Sequence, residues 1–92
     1  MHTATVEIYS DTSNAAVLRH PDRRFPGVLI QGDTLHSLCL AADAACQNAK
    51  THFSQDAYGD LNDLRNHLRT LLVHYKSVLG EHKIPLPFSE PL

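Results

Sequence analysis

The sequence contains no tryptophan, one methionine, two cysteines and four glycines. It also has no run of about 18 consecutive apolar residues, which a helix needs in order to cross a bilayer. Neither sign of charge is in large excess, because the formal net charge is −2 at pH 7, and a general attraction to nucleic acid or to an anionic membrane is therefore not expected. The first five residues do not join a basic region to an apolar core, so we expect no signal peptide and a cytoplasmic protein.

The composition is that of a small globular protein. The chain has 92 residues, of which 42% are hydrophobic and 20% are charged, and these proportions exclude a disordered chain. We therefore predict a single domain over residues 1–92. In the first third of the chain, residues 5–10 alternate with the period of a β-strand, and residues 15–19 and 28–31 are short segments, separated by turn residues, that we predict as the second and third strands. We place a three-stranded antiparallel meander over residues 5–31, because the connections between the segments are short.

The apolar period changes to that of an α-helix after residue 32. We predict a first helix over 33–53, with Asp33 or Thr34 as its N-cap. Gly32 precedes it, and we expect this glycine to adopt a backbone conformation that other residues avoid.

A second helix is predicted over 56–79, capped by Asp56 or Asp60 and ended by Gly80. A proline-containing extended tail over 80–92 completes a β-β-β-α-α protein of the α+β class.

The two cysteines, Cys39 and Cys46, fall on the apolar stripe of the first helix. Seven residues of helix separate them by about 10 Å, which is too far for a disulfide. We interpret both as small buried hydrophobic residues.

The junction between the third strand and the first helix carries a distinctive set of residues: Phe25-Pro26-Gly27, the Gly-Asp-Thr-Leu turn at residues 32–35, and Leu38, Ala42 and Ala45. In these residues the junction resembles that of HicB-type antitoxins. It covers about residues 5–49, and a similar Arg-Phe-Pro-Gly stretch also resembles an uncharacterised family of small bacterial proteins. The resemblance implies a sheet-and-helix unit and a partner that is neutralised by binding.

The chain departs from that antitoxin pattern in two ways. His36-Ser37 stands where an acidic pair is usual, and a long helix replaces the C-terminal DNA-binding module. Operator binding is therefore not expected.

Seven histidines are the most unusual feature of the composition, yet none forms the helical i, i+3 or i, i+4 pair that holds a metal ion. We expect no metal and no other cofactor. The sequence also contains no nucleophile elbow and no P-loop, so we predict no catalytic residues and a protein that is not an enzyme.

Basic residues concentrate between the second and third strands. We predict that this loop contacts a partner protein through five residues: Arg19, His20, Arg23, Arg24 and Phe25. Arginine forms bidentate hydrogen bonds with carboxylates, so an acidic partner is expected. Two alternatives remain open: a small nucleic-acid-binding module that uses Arg19–Arg24, and a minor hydrolase or nuclease at His20 and Asp22.

The second helix carries more large apolar residues than its own chain is expected to cover. We predict that part of this stripe forms a homodimer interface, since a two-fold dimer is the commonest closed assembly. The interface residues are Leu64, Leu68, Leu71, Tyr75 and Val78. The competing prediction is that residues 84–88 fold back over the stripe. The function that best fits these features is a non-catalytic, antitoxin- or immunity-like protein that occludes a partner.

Overall fold

The computed structural model describes residues 1–90 and shows three strands followed by two helices, which confirms the predicted α+β class and the β-β-β-α-α order. The elements are β1 (Glu7–Ser10), β2 (Ala15–Arg19), β3 (Gly27–Ile30), α1 (Gly32–His52) and α2 (Gln55–Glu81). The chain divides into two compact units, Met1–Gln31 and Gly32–Leu92. The single domain over 1–92 stays a prediction.

The first unit is an antiparallel sheet in the order β1-β2-β3. Val17 of β2 lies opposite Val28 of β3, and the pairing of β1 with β2 shifts register between Ile8 and Ser10. The strands are four or five residues long, and most of their apolar side chains are exposed. No residue in this unit is buried.

The second unit is a pair of helices with a small core. The centre of the core is formed by Leu35 and Cys39 of α1 with Leu72 of α2, and around it pack Leu68, Tyr75 and Phe88. Farther along α1, three small residues are also buried, namely Ala42, Cys46 and Ala49. Small side chains on one helix allow a second helix to approach closely, which explains why the apolar stripe of α1 contains so many of them.

Gly32 is the first residue of α1, and its φ is not positive, so the predicted unusual backbone conformation is wrong. The position is nevertheless restricted, because a Cβ placed there would lie 2.5 Å from Cε1 of Tyr75 and closer still to Cζ and the hydroxyl. The reason for glycine is therefore the approach of a side chain from α2. The backbone N–H of Thr34 donates to the Asp33 carboxylate at 2.9 Å, and that carboxylate lies in the first turn, where the helix dipole favours negative charge.

The start of α2 corrects another prediction. The N-cap is Ser54, whose hydroxyl accepts a hydrogen bond from the backbone N–H of Ala57 at 3.2 Å. Neither Asp56 nor Asp60 is the cap, because both lie inside the helix. Asp56 instead contributes negative charge to the first turn.

The end of α2 lies beyond the predicted one. Gly80 is inside the helix, without a positive φ, and the helix continues to Glu81. The backbone N–H of Ile84 donates to the carbonyl of Leu79 at 2.9 Å, and the N–H of Lys83 donates to the carbonyl of Gly80 at 3.2 Å. These two bonds form a Schellman motif, and Lys83, with φ of 55°, occupies the left-handed position that usually belongs to glycine.

The tail after α2 returns to the helix pair. Phe88 packs against the core of the second unit, and its ring stacks on His36 with a centroid distance of 4.1 Å. Glu90 forms an ion pair with Lys76 of α2. Phe88 thus makes a contact of the kind expected if residues 84–88 fold back. The last part of the predicted tail, Pro91 and Leu92, lies outside the described residues.

Within residues 1–90, neither helix combines the length and the apolar character that crossing a membrane requires.

Candidate functional site

The first unit contains an open groove of about 450 Å³ where the β2–β3 loop meets the sheet. Its volume is within the range of small-ligand pockets. The groove is lined by Leu18, His20, Arg23, Arg24, Phe25, Gly27, Val28 and Leu29. Four of the five loop residues predicted to contact a partner are therefore brought together.

The geometry of the β2–β3 loop explains how these side chains converge. The backbone N–H of Arg23 donates to the carbonyl of His20 at 3.0 Å, which closes a turn immediately after β2. The chain then returns through Phe25 and Pro26 to β3, where Gly27 lies opposite Leu18. The groove thus has basic side chains from the loop and apolar side chains from the two strands.

Phe25 is an exposed aromatic residue at this groove, with 71% of its surface accessible. The guanidinium carbon of Arg24 lies 5.3 Å from the centre of the Phe25 ring, which is within the range of a cation–π contact. An aromatic ring exposed to this extent can still bury apolar surface when a ligand binds.

Arg19, the fifth predicted residue, does not line the groove. Its guanidinium pairs with Glu7 of β1, and Nε donates to the Glu7 carboxylate at 2.6 Å. This hydrogen bond and the negative charge of Glu7 raise the pKa of Arg19 above its usual value. The pair joins the ends of two neighbouring strands, so we assign Arg19 to the sheet and not to the groove.

The ion pairs of the described chain separate the groove arginines from the other arginines. On α2, Arg69 pairs with Asp43 at 2.8 Å, and Arg65 lies 3.9 Å from the same carboxylate. In residues 1–90, no carboxylate forms such a pair with Arg23 or Arg24. The positive charge beside the groove is therefore available to a ligand.

His20 and Asp22 do not form the arrangement that a hydrolase would need. The backbone N–H of Asp22 donates to Nδ1 of His20 at 3.2 Å, so this ring nitrogen is an acceptor. In a catalytic pair the carboxylate would instead accept a hydrogen bond from an N–H of the imidazole ring. Three apolar residues that line the groove, Leu18, Val28 and Leu29, were not among the predicted site residues. The predicted strands nevertheless place them next to the loop.

The residues predicted for a dimer interface separate into two groups. Leu68 and Tyr75 pack against the core of the second unit, while Leu64 and Leu71 are 54% and 49% exposed. Val78 is half-buried. The predicted interface residues therefore divide between one side of α2, which packs against the core, and another side, which is exposed.

The two cysteines are free and buried, as interpreted from the helical spacing. Burial raises the pKa of the Cys39 thiol, and the nearby Asp43 adds to this effect while Arg69 opposes it. A thiol with a raised pKa is a weak nucleophile near neutral pH. Among residues 1–90, no group of three or more His, Cys, Asp or Glu side chains is placed to hold a metal ion.

The model of a family of unknown function, DUF6959, matches residues 1–88 of the chain. The chain belongs to this family. The match extends across both compact units, so the sheet and the helix pair occur together in DUF6959. No curated protein and no solved structure matches the chain. The resemblance to HicB-type antitoxins stays a prediction.

Proposed function

We propose that the protein is a non-catalytic binding protein that holds an acidic segment of a partner protein in the groove of the sheet unit. The observation that carries this proposal is the combination, in one groove of about 450 Å³, of two arginines that form no ion pair within residues 1–90, an exposed phenylalanine and apolar strand residues. A carboxylate would pair with Arg23 or Arg24, and an apolar side chain of the same segment would cover Leu18 and Leu29, which lie on the same face of the sheet.

Binding of this kind would occlude the partner by covering its acidic segment, as an antitoxin or an immunity protein does. That part of the proposal rests on the resemblance at the strand-to-helix junction. The location that fits this role is the cytoplasm, and a bacterial source fits the same resemblance. A catalytic role is less well supported, because the contact between His20 and Asp22 uses a backbone N–H and not the carboxylate.

A second candidate is binding of single-stranded nucleic acid. It is favoured by Phe25, which could stack on a base, and by Arg24 beside its ring. The net charge of −2 opposes it, because phosphate contacts dominate the affinity of nucleic-acid-binding proteins.

Fluorescence anisotropy with defined probes tests both candidates. The probes are labelled peptides with a central leucine or phenylalanine flanked by glutamates, the same peptides flanked by lysines, and single-stranded RNA and DNA oligonucleotides. We expect the acidic peptides to bind and the basic peptides not to bind. Stronger binding of the oligonucleotides would instead support the second candidate.

Two variants link the binding to the groove. Replacing Arg23 and Arg24 by alanine should weaken binding of the acidic peptide at least about tenfold, and the difference should shrink as salt is raised. Gly27→Val should also block binding, because a Cβ at Gly27 meets open space and the larger side chain would fill part of the groove.

The matched control replaces Lys50 and Lys83 by alanine, which removes the same charge from exposed positions outside the groove. The control should bind the acidic peptide like the parent protein. The proposal would be refuted if the double alanine variant of Arg23 and Arg24 bound the acidic peptide as tightly as the parent protein. It would also be refuted if the parent protein bound none of the acidic peptides.

A further inference from the structure

The two edge strands of the sheet unit differ in how they are protected against further pairing. β1 carries the charged Glu7, and its pairing with β2 shifts register between Ile8 and Ser10. Charged side chains and irregular pairing are common means by which proteins prevent another strand from adding to an edge. β3 has neither feature, because its sequence is Gly-Val-Leu-Ile and its pairing with β2 is regular from Gly27 to Ile30.

The outer side of β3 offers backbone groups for pairing. Within residues 1–90, β3 pairs with β2 alone, and no backbone hydrogen bond outside this pairing involves Gly27–Ile30. Successive residues of a strand direct their N–H and C=O groups to opposite sides, so every second residue of β3 directs them away from the sheet. Pro26, which has no N–H, precedes the strand, and the free edge therefore begins at Gly27. Another extended segment of polypeptide satisfies such donors and acceptors.

The groove of the sheet unit adjoins this edge. It reaches the backbone of β3, because Gly27 lines it and has no side chain. A Cβ at Gly27 would meet no atom within 4 Å, so there is open space beside Leu18, the residue opposite in β2. Arg23 and Arg24 come just before β3 in the chain and line the same groove. The positive charge is therefore placed at the start of β3, where Leu18 and Leu29 share one face of the sheet.

We propose that the acidic segment of the partner binds as an extended strand on the free edge of β3. This inference rests on the proposed function and specifies how the segment is held. Its backbone continues the hydrogen-bonded ladder of the sheet, its carboxylate pairs with Arg23 or Arg24, and alternate side chains cover Leu29. The backbone contacts supply affinity that does not depend on the sequence of the segment, and the arginines select segments with negative charge.

Backbone methylation of the peptide tests the added strand. Two versions of the tightest-binding acidic peptide carry the same number of N-methyl groups, on odd-numbered residues in one and on even-numbered residues in the other. In an added strand only one of these two sets of N–H groups faces β3. We expect one version to bind at least about tenfold more weakly than the unmodified peptide, because its methyl groups remove hydrogen-bond donors and clash with β3. The other version is the matched control and should bind normally.

Amide hydrogen exchange followed by NMR locates the added strand on the protein. Saturation with the unmodified peptide should slow the exchange of the outward-facing amides of β3. The amides of β1, the other edge strand, are the internal control and should exchange at unchanged rates. The measurement uses the full parent chain, so no substitution disturbs the sheet.

The outcomes separate this inference from the proposed function. Equal binding of the two methylated peptides, or unchanged exchange of the β3 amides when peptide is bound, would overturn the added strand and leave the groove as the binding site. Equal affinity for a peptide with glutamine in place of every glutamate, with the β3 amides still protected, would support the added strand and refute the proposed selection of acidic segments. Protection that grows with concentration in the protein alone would place a second copy at the edge and overturn the proposal. No binding of any acidic peptide would overturn both.

Discussion

The close approach of Tyr75 to Gly32 leads to a quantitative prediction for Gly32→Ala. A Cβ at this position would lie 2.5 Å or less from three atoms of the Tyr75 side chain. The ring cannot move away freely, because it packs against the core formed by Leu35, Cys39 and Leu72. Forcing an additional methyl group into a packed site typically costs about 1–3 kcal/mol.

An opposing contribution comes from the unfolded chain. The φ of Gly32 is not positive, so alanine can adopt its backbone conformation, and the loss of freedom in the unfolded state would stabilise the protein by about 0.4–1 kcal/mol. We therefore expect Gly32→Ala to lower the free energy of unfolding by about 1–2 kcal/mol. For a domain of this size the melting temperature should fall by about 5–15 °C. Urea denaturation followed by circular dichroism measures the change.

Whether Gly32→Ala destabilises or stabilises the protein should depend on Tyr75. In a Tyr75→Leu background the three crowded atoms are absent, and Gly32→Ala should then stabilise the protein. Gly59→Ala is the control in the parent background, because a Cβ at this helical position meets no atom within 4 Å and should add about 0.5–1 kcal/mol of stability. If Gly32→Ala were stabilising in both backgrounds, or equally destabilising in both, the reasoning from close approach would be refuted.

Two further predictions concern the ends of α2. Ser54→Ala should lower the free energy of unfolding by about 1 kcal/mol, because it removes the hydrogen bond to the N–H of Ala57. Asp60→Ala should lower it much less. Similar losses of stability for both variants would contradict the assignment of Ser54 as the cap. Lys83→Gly should stabilise the protein by about 0.5–1 kcal/mol, because glycine adopts a φ of 55° without the steric cost that lysine bears. An unchanged denaturation midpoint for Lys83→Gly would show that this conformation carries no strain.

The order and type of the elements could be predicted because they depend on local periodicity. Alternation marks the first strand, short apolar runs between turn residues mark the other two, and the helical period after residue 32 marks the two helices. The choice among Ser54, Asp56 and Asp60 as the cap could not be made in this way, because all three have a suitable oxygen. Gly80 was a misleading signal, since a single glycine near the end of a long exposed helix weakens that helix without ending it.

The contacts that complete the structure were harder to predict because they join distant residues. The reason for glycine at position 32 lies at position 75, and the ring that stacks on His36 belongs to Phe88. In the groove, the loop residues could be selected by charge, but Arg19 was included because its partner Glu7 is twelve residues away. Similarly, the apolar stripe of α2 could be predicted from the sequence. Which of its residues pack against α1 and which are exposed could not, because that depends on the position of α1.

The absence of any buried residue in the sheet unit has a consequence for the thermodynamics of ligand binding. A three-stranded sheet depends on an apolar face for its stability, and here Val28, Leu29 and Ile30 are 60%, 49% and 43% exposed. A ligand in the groove would cover Leu29 and so remove apolar surface of the sheet from water. Its association should then show a negative heat capacity change, which isothermal titration calorimetry at several temperatures would measure.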